Sequence, residues 1–316
     1  MTYAQYGTIQ NTDYNDLIGT SPGTTASKLN TVWAVGGSTA GYGQTALANV
    51  AVGSTVLSTD WANLVNRTSN AAQHQASTIS SVTAPVAGGT ISYLSAIPTN
   101  LTTIYTNRLN AAGQGTTTST NSTQGSAWLN ILTFTQTATF ANGDAARYFF
   151  NAGGQLAITV SQPGTTGAGL LFNNLASNVG TVVLSAPSSG TITVGGTSYN
   201  GISKIGGGGN APTISQNNGY YALTTSNANV FTQTASTGPS SYLSSFIRVI
   251  VKSNGTQGSN SDAGSVITIY TIWDEVPNGL SVPLGAVTTL TVRPPSTSYI
   301  SNSWGTITLA SSVTGS

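Results

Sequence analysis

Two rhythms of apolar residues divide the chain. Between Asp13 and Ala112 apolar positions recur in short stretches at helical spacing, whereas from Trp128 onward they form β-branched and aromatic blocks separated by Gly, Pro, Asn and Ser. The clearest helix is expected after Ser58-Thr59-Asp60, three N-cap candidates, where Trp61, Leu64, Val65, Thr68, Ala71 and Ala72 share one face. A second is expected to begin near Pro98, a residue tolerated in a first turn, with Leu101, Ile104 and Tyr105 on one side and Arg108 after them. An earlier one is expected from about Thr24 or Thr25 to Val35, with Leu29, Val32 and Trp33 inward and Gly36-Gly37 as its stop. None is long. Helices of this size are marginal alone in water, so they must pack on each other or on another chain.

In the second region the segments Trp128 to Phe140, Leu156 to Val160, Thr181 to Leu184, Thr191 to Val194, Phe246 to Val251, Val266 to Trp273, Val287 to Val292 and Thr306 to Leu309 read as strands. Strands at that spacing point to an antiparallel sandwich or a jelly-roll-like fold. Ser265 to Trp273 alternates, with Val266, Thr268, Tyr270 and Ile272 on one face and Ile267, Ile269, Thr271 and Trp273 on the other. Both faces are partly apolar, which places this strand centrally or under a neighbouring subunit. The run from Gly113 to Gly125 has no large apolar residue and reads as a polar linker or exposed loop. The expected architecture is therefore α+β, mainly β: a helical docking domain over 1–112, a linker over 113–125 and a β-sandwich over 126–316. No internal repeat is evident.

The densest stretch is Ala138 to Leu156, which gathers Phe140, Arg147, Tyr148, Phe149 and Phe150 between Asn142-Gly143 and Gly153-Gly154. Both dipeptides tolerate positive φ, so the apolar segments around them read as strands folded back at tight turns. Asp144 and Arg147, three apart, could pin that geometry, but an ordinary surface contact worth little is the expectation. This stretch resembles a motif of virion structural proteins of tailed bacteriophages, in particular the uncharged, Gly/Thr/Asn-rich proteins of myovirus-like aquatic and cyanobacterial phages. Three further segments carry the same likeness: Gly41-Tyr-Gly-Gln-Thr-Ala-Leu47, Thr59-Asp-Trp-Ala-Asn-Leu64 with His74-Gln75 after it, and Thr103-Ile-Tyr-Thr-Asn-Arg-Leu109. The resemblance covers the first half in detail and the rest in general character. It implies membership of the particle, whether in neck, tube, baseplate or fibre, and brings no catalytic residues with it.

Composition sharpens this picture. Of 316 residues 38% are hydrophobic, enough for a real core, but only 5% are charged where soluble domains usually carry about 25%. Ser, Thr, Asn, Gln and Gly must do the solvating, and a surface of that kind lets subunits meet without stripping water from Lys and Glu. Permanent assembly, most plausibly as a homo-oligomer, is the inference; a polar, uncharged extracellular monomer is the alternative. The net charge is +1 and the basic residues are scattered singly from Lys28 to Arg293, so no stripe exists for a phosphate backbone and no nucleic-acid partner is expected. With no Cys there is neither a disulfide framework nor a thiolate metal site. Met1-Thr-Tyr-Ala-Gln-Tyr-Gly lacks a basic n-region and an apolar h-region, and no apolar run approaches the ~20 residues that span a bilayer. Synthesis in the host cytoplasm without an export signal, no membrane insertion, and residence in the virion are the expectations.

Candidate chemistry is sparse. His74 is the single histidine and has no acid or nucleophile pattern around it. Asp13 and Asp16 share a neighbourhood, and Asp274-Glu275 is the one adjacent acidic pair. Such a pair could serve glycoside hydrolysis, but these two precede Val276-Pro277 and would point to opposite sides of a strand, so a strand end or turn is expected. No Asp-rich loop suits calcium. Gly206 to Gly209 lack the following Lys-Ser/Thr of a phosphate cradle and read as a flexible hairpin tip. The Asn-Xaa-Ser/Thr matches at Asn66, Asn100, Asn121 and Asn254 are chance-level in so Asn- and Thr-rich a chain. Trp128, Trp273, Trp304 and the Tyr220-Tyr221 pair could stack on sugars, or form core. No catalytic, cofactor-binding or metal residue is assigned. The leading expectation is a non-enzymatic structural protein of a tailed-phage tail, neck or fibre; a receptor-binding protein for a host surface glycan is second, and a glycan depolymerase third.

Overall fold

The computed structural model describes residues 11–19, 28–87, 95–238, 240–257, 264–277 and 279–315. Four helices come first: α1 (Asn11–Ile18), α2 (Leu29–Trp33), α3 (Ser58–His74) and α4 (Ala96–Thr106). Then follow β1 (Thr118–Thr123), β2 (Ile131–Thr139), α5 (Gly143–Asn151), β3 (Gln155–Ser161), α6 (Gly167–Val179) and β4 (Thr181–Leu184). The remaining strands are β5 (Ile192–Val194), β6 (Thr197–Tyr199), β7 (Ile202–Ile205), β8 (Thr213–Ile214), β9 (Ala228–Thr234), β10 (Phe246–Ser253), β11 (Val266–Asp274), β12 (Val287–Arg293) and β13 (Thr308–Gly315). The fold is α+β, mainly β, with a small N-terminal helical part.

In α3 every residue of the expected face is buried, and Asp60 opens the helix by accepting from the Leu57 backbone N–H at 2.8 Å. Tyr14 of α1 meets the Trp61 ring edge-on at 5.7 Å, which ties the first helix to the third. α4 starts two residues before Pro98, leaving the proline in the first turn. Within the expected helix before Gly36, the helical residues run only from Leu29 to Trp33, with Leu29, Val32 and Trp33 inward as anticipated. Thr24 and Thr25 lie outside the described residues.

Two antiparallel sheets form the β region, one ordered β1-β12-β3-β4-β7 and the other β13-β2-β11-β10-β9-β8. Their facing sides alternate inward: Leu132, Phe134, Gln136 and Ala138 of β2 are buried between half-buried threonines, and Ile267, Ile269, Thr271 and Trp273 of β11 are buried between Val266, Thr268, Tyr270 and Ile272. A hydrogen bond from Gln136 Nε2 to Thr288 O, 3.1 Å, spans the two sheets. The apolar second face of β11 has a simple origin, since this strand lies between β2 and β10 in the middle of its sheet. The β5–β6 hairpin supplies Ile192, Val194 and Tyr199 to a smaller cluster with Ala157 and Val183 on the far side of the other sheet.

Two expectations change, and one helix appears that the sequence reading did not assign. The 113–125 run contains β1, an edge strand fully paired with β12. A polar edge strand needs no apolar face, because its ladder and hydroxyl contacts such as Ser119 Oγ to Thr291 Oγ1 (3.0 Å) hold it, so a missing apolar residue does not mark a linker. The stretch after Asn142 is a helix rather than strands at a tight turn. Asn142 has φ −161°, its side chain accepts from Ala145 N at 2.8 Å, and Ala145, Ala146, Phe149 and Phe150 bury one helical face. Finally, Leu171, Phe172, Leu175, Ala176 and Val179 make α6, a helix masked in the sequence by the glycines at its start. Phe172 of α6 stacks at 6.0 Å on Trp273 and meets Trp128 at 5.0 Å, which places the helix in the core at one end of the sandwich. One hydrophobic cluster runs from Tyr14 and Trp61 through Phe149 to Trp273, so helical and β parts share their interior.

Candidate functional site

Of the segments singled out in the sequence, 138–156, 41–47 and 103–109 converge, with His74-Gln75 at the far end of α3 from residues 59–64, where the helices meet the sandwich. α5 leaves the end of β2, and its first turn carries Asp144, favoured there by the helix dipole. One turn later Arg147, 1% exposed, donates Nε and Nη2 to Asp144 Oδ1 at 3.1 and 2.9 Å and Nη1 to the Ala40 carbonyl at 2.8 Å. The guanidinium therefore enters the interior with its charge paired and its donors used, which corrects the expectation of an ordinary surface contact. Asn151, at the helix's last position, donates to Gly41 O at 3.2 Å, and its Oδ1 lies 2.6 Å from the Tyr221 hydroxyl, itself 2.8 Å from Ser38 O.

From the helical side, Tyr42 donates its hydroxyl to Arg108 O at 2.8 Å and accepts from Gln75 Nε2 at 2.7 Å, while Gln75 also donates to Ile104 O. Gln44 exchanges two hydrogen bonds with the backbone of Ser301, each 2.9 Å, and Ser303 Oγ donates to Tyr42 O. Gly43 has φ +68° and lies under the Tyr148 ring, where a Cβ would meet ring carbon at 2.4 Å. Only glycine satisfies both demands. His74 closes the group: Nε2 donates to Ala152 O at 3.0 Å, and the ring meets Tyr42 edge-on at 5.1 Å.

Around the Arg147–Asp144 ion pair, burial favours the neutral forms of the titratable rings. Burial lowers the His74 pKa to about 4, against the opposing pull of the Ala152 carbonyl, so the imidazole is uncharged at neutral pH. Burial likewise pushes the Tyr42 and Tyr221 hydroxyls far above their ordinary range. His74 is 1% exposed and meets no nucleophile, and its one polar contact is with main chain.

The other candidates are dispersed. Asp16 pairs with Lys28 at 2.6 Å, and Asp13 lies one turn earlier on α1. Asp274 ends β11 half-buried, its carboxyl pushed up by burial with Arg248 pulling the other way. Glu275, on the opposite side as expected, is fully buried and accepts from Gly279 N (2.8 Å) and Leu280 N (3.2 Å), holding a turn. Gly206 to Gly209 do not form a hairpin tip: they connect β7 of one sheet to β8 of the other, and the positive φ values of Gly206, Gly207 and Gly209 let the chain round Asn178 at the end of α6. Asn100 is buried and bonded to Ser80 on both amide atoms. Trp128, Trp273, Trp304 and Tyr220 all belong to the core, and Tyr221 is half-buried with its hydroxyl in use. Among the described residues no group of three or more His, Asp or Glu side chains is gathered for a metal, and no helix is long and apolar enough to cross a membrane.

The opposite end of the sandwich was not singled out by sequence. There residues 124–130, 162–166, 235–238 and 279–286 gather at the start of α6, where Trp128 meets Phe172, Gly164 and Pro283 lie against Gly169 and Gly238 lies against Leu171, and Leu129, Ile131, Leu170, Leu243 and Leu284 stand exposed. The only signal for them was five aliphatics next to turn residues, a pattern shared with ordinary strand ends. No protein-family model matches the chain, and no curated protein or solved structure shows detectable similarity to it.

Proposed function

We propose that this chain is a non-enzymatic structural component of a tailed-phage virion, a tail, neck or fibre protein that acts through contacts with other virion proteins and with copies of itself. One observation carries the reading: His74, Arg147 and Glu275 are each buried and each bonded to main-chain atoms. The groups from which an active site would be assembled instead hold loops and helices in place. Apart from a few scattered charges such as Asp16 and Lys28, what remains outside is largely amide and hydroxyl on a β scaffold, suited to broad neutral interfaces that salt screens little. The virion assignment draws on the resemblance of the four segments. A glycan-binding role has less support, since its stacking candidates are core residues apart from Tyr221.

Cryo-electron imaging of purified particles with this chain labelled tests the proposal. Regular copies at one station of the particle are expected, and protein abundant in lysate but missing from particles would overturn it. Purified protein should leave host polysaccharide and peptidoglycan intact. Release of reducing sugar by the wild type, lost in the Asp274→Ala, Glu275→Ala double variant, would assign a depolymerase instead.

A further inference from the structure

We infer that the outer face of the six-stranded sheet, centred on β10 and β11, binds an acidic polysaccharide, with its carboxylates on Arg248 and Lys252 and its hydroxyls on the threonines of β2. This goes beyond the structural role and does not rest on it. Five of the eight basic residues are already engaged: Lys28 and Arg147 in ion pairs, and Arg67, Arg108 and Lys204 as donors to oxygen atoms of the chain. Among the described residues, the side chains of Arg248, Lys252 and Arg293 make no hydrogen bond or ion pair. Arg248 and Lys252 point to the same side of β10, four residues and so about 13 Å apart. Each is held against a ring, Arg248 Cζ at 4.6 Å from the Phe246 centroid and Lys252 Nζ at 5.6 Å from that of Tyr270. The Arg248 Nε is shut off from water without a partner, so the outer guanidinium nitrogens are the ones free to bind. A cation steadied on a ring loses less freedom when it takes an anion.

Strand register makes these groups one surface. Across the β10–β11 ladder Arg248 faces Ile272, Ile250 faces Tyr270 and Lys252 faces Thr268. On the other side of β11, Thr133, Thr135 and Thr137 of β2 stand opposite the same three residues. All of these side chains are half-buried on the side away from the core, and the three β2 hydroxyls are unbonded among the described residues. A strip of hydroxyls and a strip with two cations thus run parallel about 10 Å apart, with Thr268, Tyr270 and Ile272 as the floor between them. A pyranose chain lying along β11 meets each part: its C–H faces cover the floor, its hydroxyls reach the threonines, and its carboxylates reach the guanidinium and the ammonium. Asp274 stands in the next row opposite Phe246; Arg248 lowers its pKa against the effect of burial, but the two form no ion pair. Other anions fit less well. A nucleic-acid strand carries a charge at every nucleotide, and two cations hold it weakly at physiological salt. An acidic peptide finds main-chain partners at a sheet edge rather than on a face. A second copy has few carboxylates to give, since Asp16 and Asp144 are paired and Asp60 and Glu275 accept from main-chain N–H groups.

Calorimetric titration of the purified full chain at low salt with polygalacturonate, alginate and hyaluronate tests the site. At least one of the three should bind, and roughly tenfold more weakly or worse once its carboxylates are methyl-esterified. Arg248→Gln and, separately, Lys252→Gln should each weaken that binding roughly tenfold or more with little change in Tm, because neither side chain is hydrogen-bonded within the fold. Arg293→Gln removes the same charge from β12 of the other sheet and should leave binding unchanged. No binding to any of the three polymers, equal binding of the esterified form, or an equal loss on Arg293→Gln would each overturn the inference. So would tighter binding of oligo(dT) or poly-L-glutamate that Arg248→Gln abolishes. Particle incorporation is read separately: a chain found in virions that binds none of the polymers keeps its structural role and loses this site, and a binding chain absent from virions does the reverse.

Discussion

The two ends of the sandwich are built on opposite principles. At the helical end, polar side chains are buried and satisfied: Arg147 on Asp144 and Ala40, Tyr42 on Arg108 and Gln75, His74 on Ala152. At the loop end, apolar side chains are exposed on a frame of main-chain hydrogen bonds. A buried polar network tolerates one geometry, since a displaced donor leaves its partner unsatisfied in a poor solvent for it. An exposed aliphatic patch sets almost no condition on the fold that carries it. The first end thus fixes how the parts of one chain sit together, while the second is free to serve contacts outside it.

Substitutions should separate the ends by size of effect. The largest loss is expected for Asp144→Ala, which strands a guanidinium in the interior and should cost about 3–5 kcal/mol in denaturant unfolding; a loss under 1 kcal/mol would show that water reaches Arg147. Acid should expose the same end through His74. The unfolded imidazole takes up a proton near its ordinary pKa of 6.5, whereas the folded one resists until about 4, so stability should fall as pH drops through that window and level off below it. The expected total is about 3 kcal/mol, and His74→Gln should remove that component of the pH dependence; an unchanged acid slope in the variant would place the sensitivity elsewhere. Gly43→Ala should cost about 2 kcal/mol or more, from the left-handed φ alone and then from the Tyr148 ring, read as a lowered Tm. Smallest of all, Leu284→Ser at the loop end should shift monomer stability by less than about 0.5 kcal/mol. If it destabilises the monomer as strongly as Gly43→Ala, the loop end is core and the contrast fails.

Much of the helical region was legible because its periodicity carries the same information as its packing: the face from Trp61 to Ala72 is the buried face of α3. Strands with apolar alternation, β2 and β11 above all, were equally plain. What could not be read were elements that owe their form to partners far away in sequence. β1 is Thr, Ser and Asn, and nothing in those residues announces β12 some 170 positions later. Arg147 looked superficial because spacing to Asp144 is local, while its burial depends on the Ala40 carbonyl brought in from the other part of the chain. Asn142-Gly143 read as a tight turn between strands, whereas the apolar face after it makes Asn142 a helix cap. The segments of the junction were each visible, but their convergence was not, since no spacing rule links them.

The pairing of Gln44 with Ser301, 257 residues apart, also sets a clock. At translation rates of roughly 5–20 residues per second, the segment from Tyr42 to Gln44 waits about 10–50 s before its last partner leaves the ribosome. β2 waits comparably for β13, whose Val313 lies opposite Phe134. Such closure by distant contacts makes for slow folding, because loop entropy is lost before the contact is gained. A nascent chain with few charges has little repulsion to keep it from its neighbours during that interval. The yield of folded protein is therefore expected to depend on how well those early segments are kept from each other during that interval.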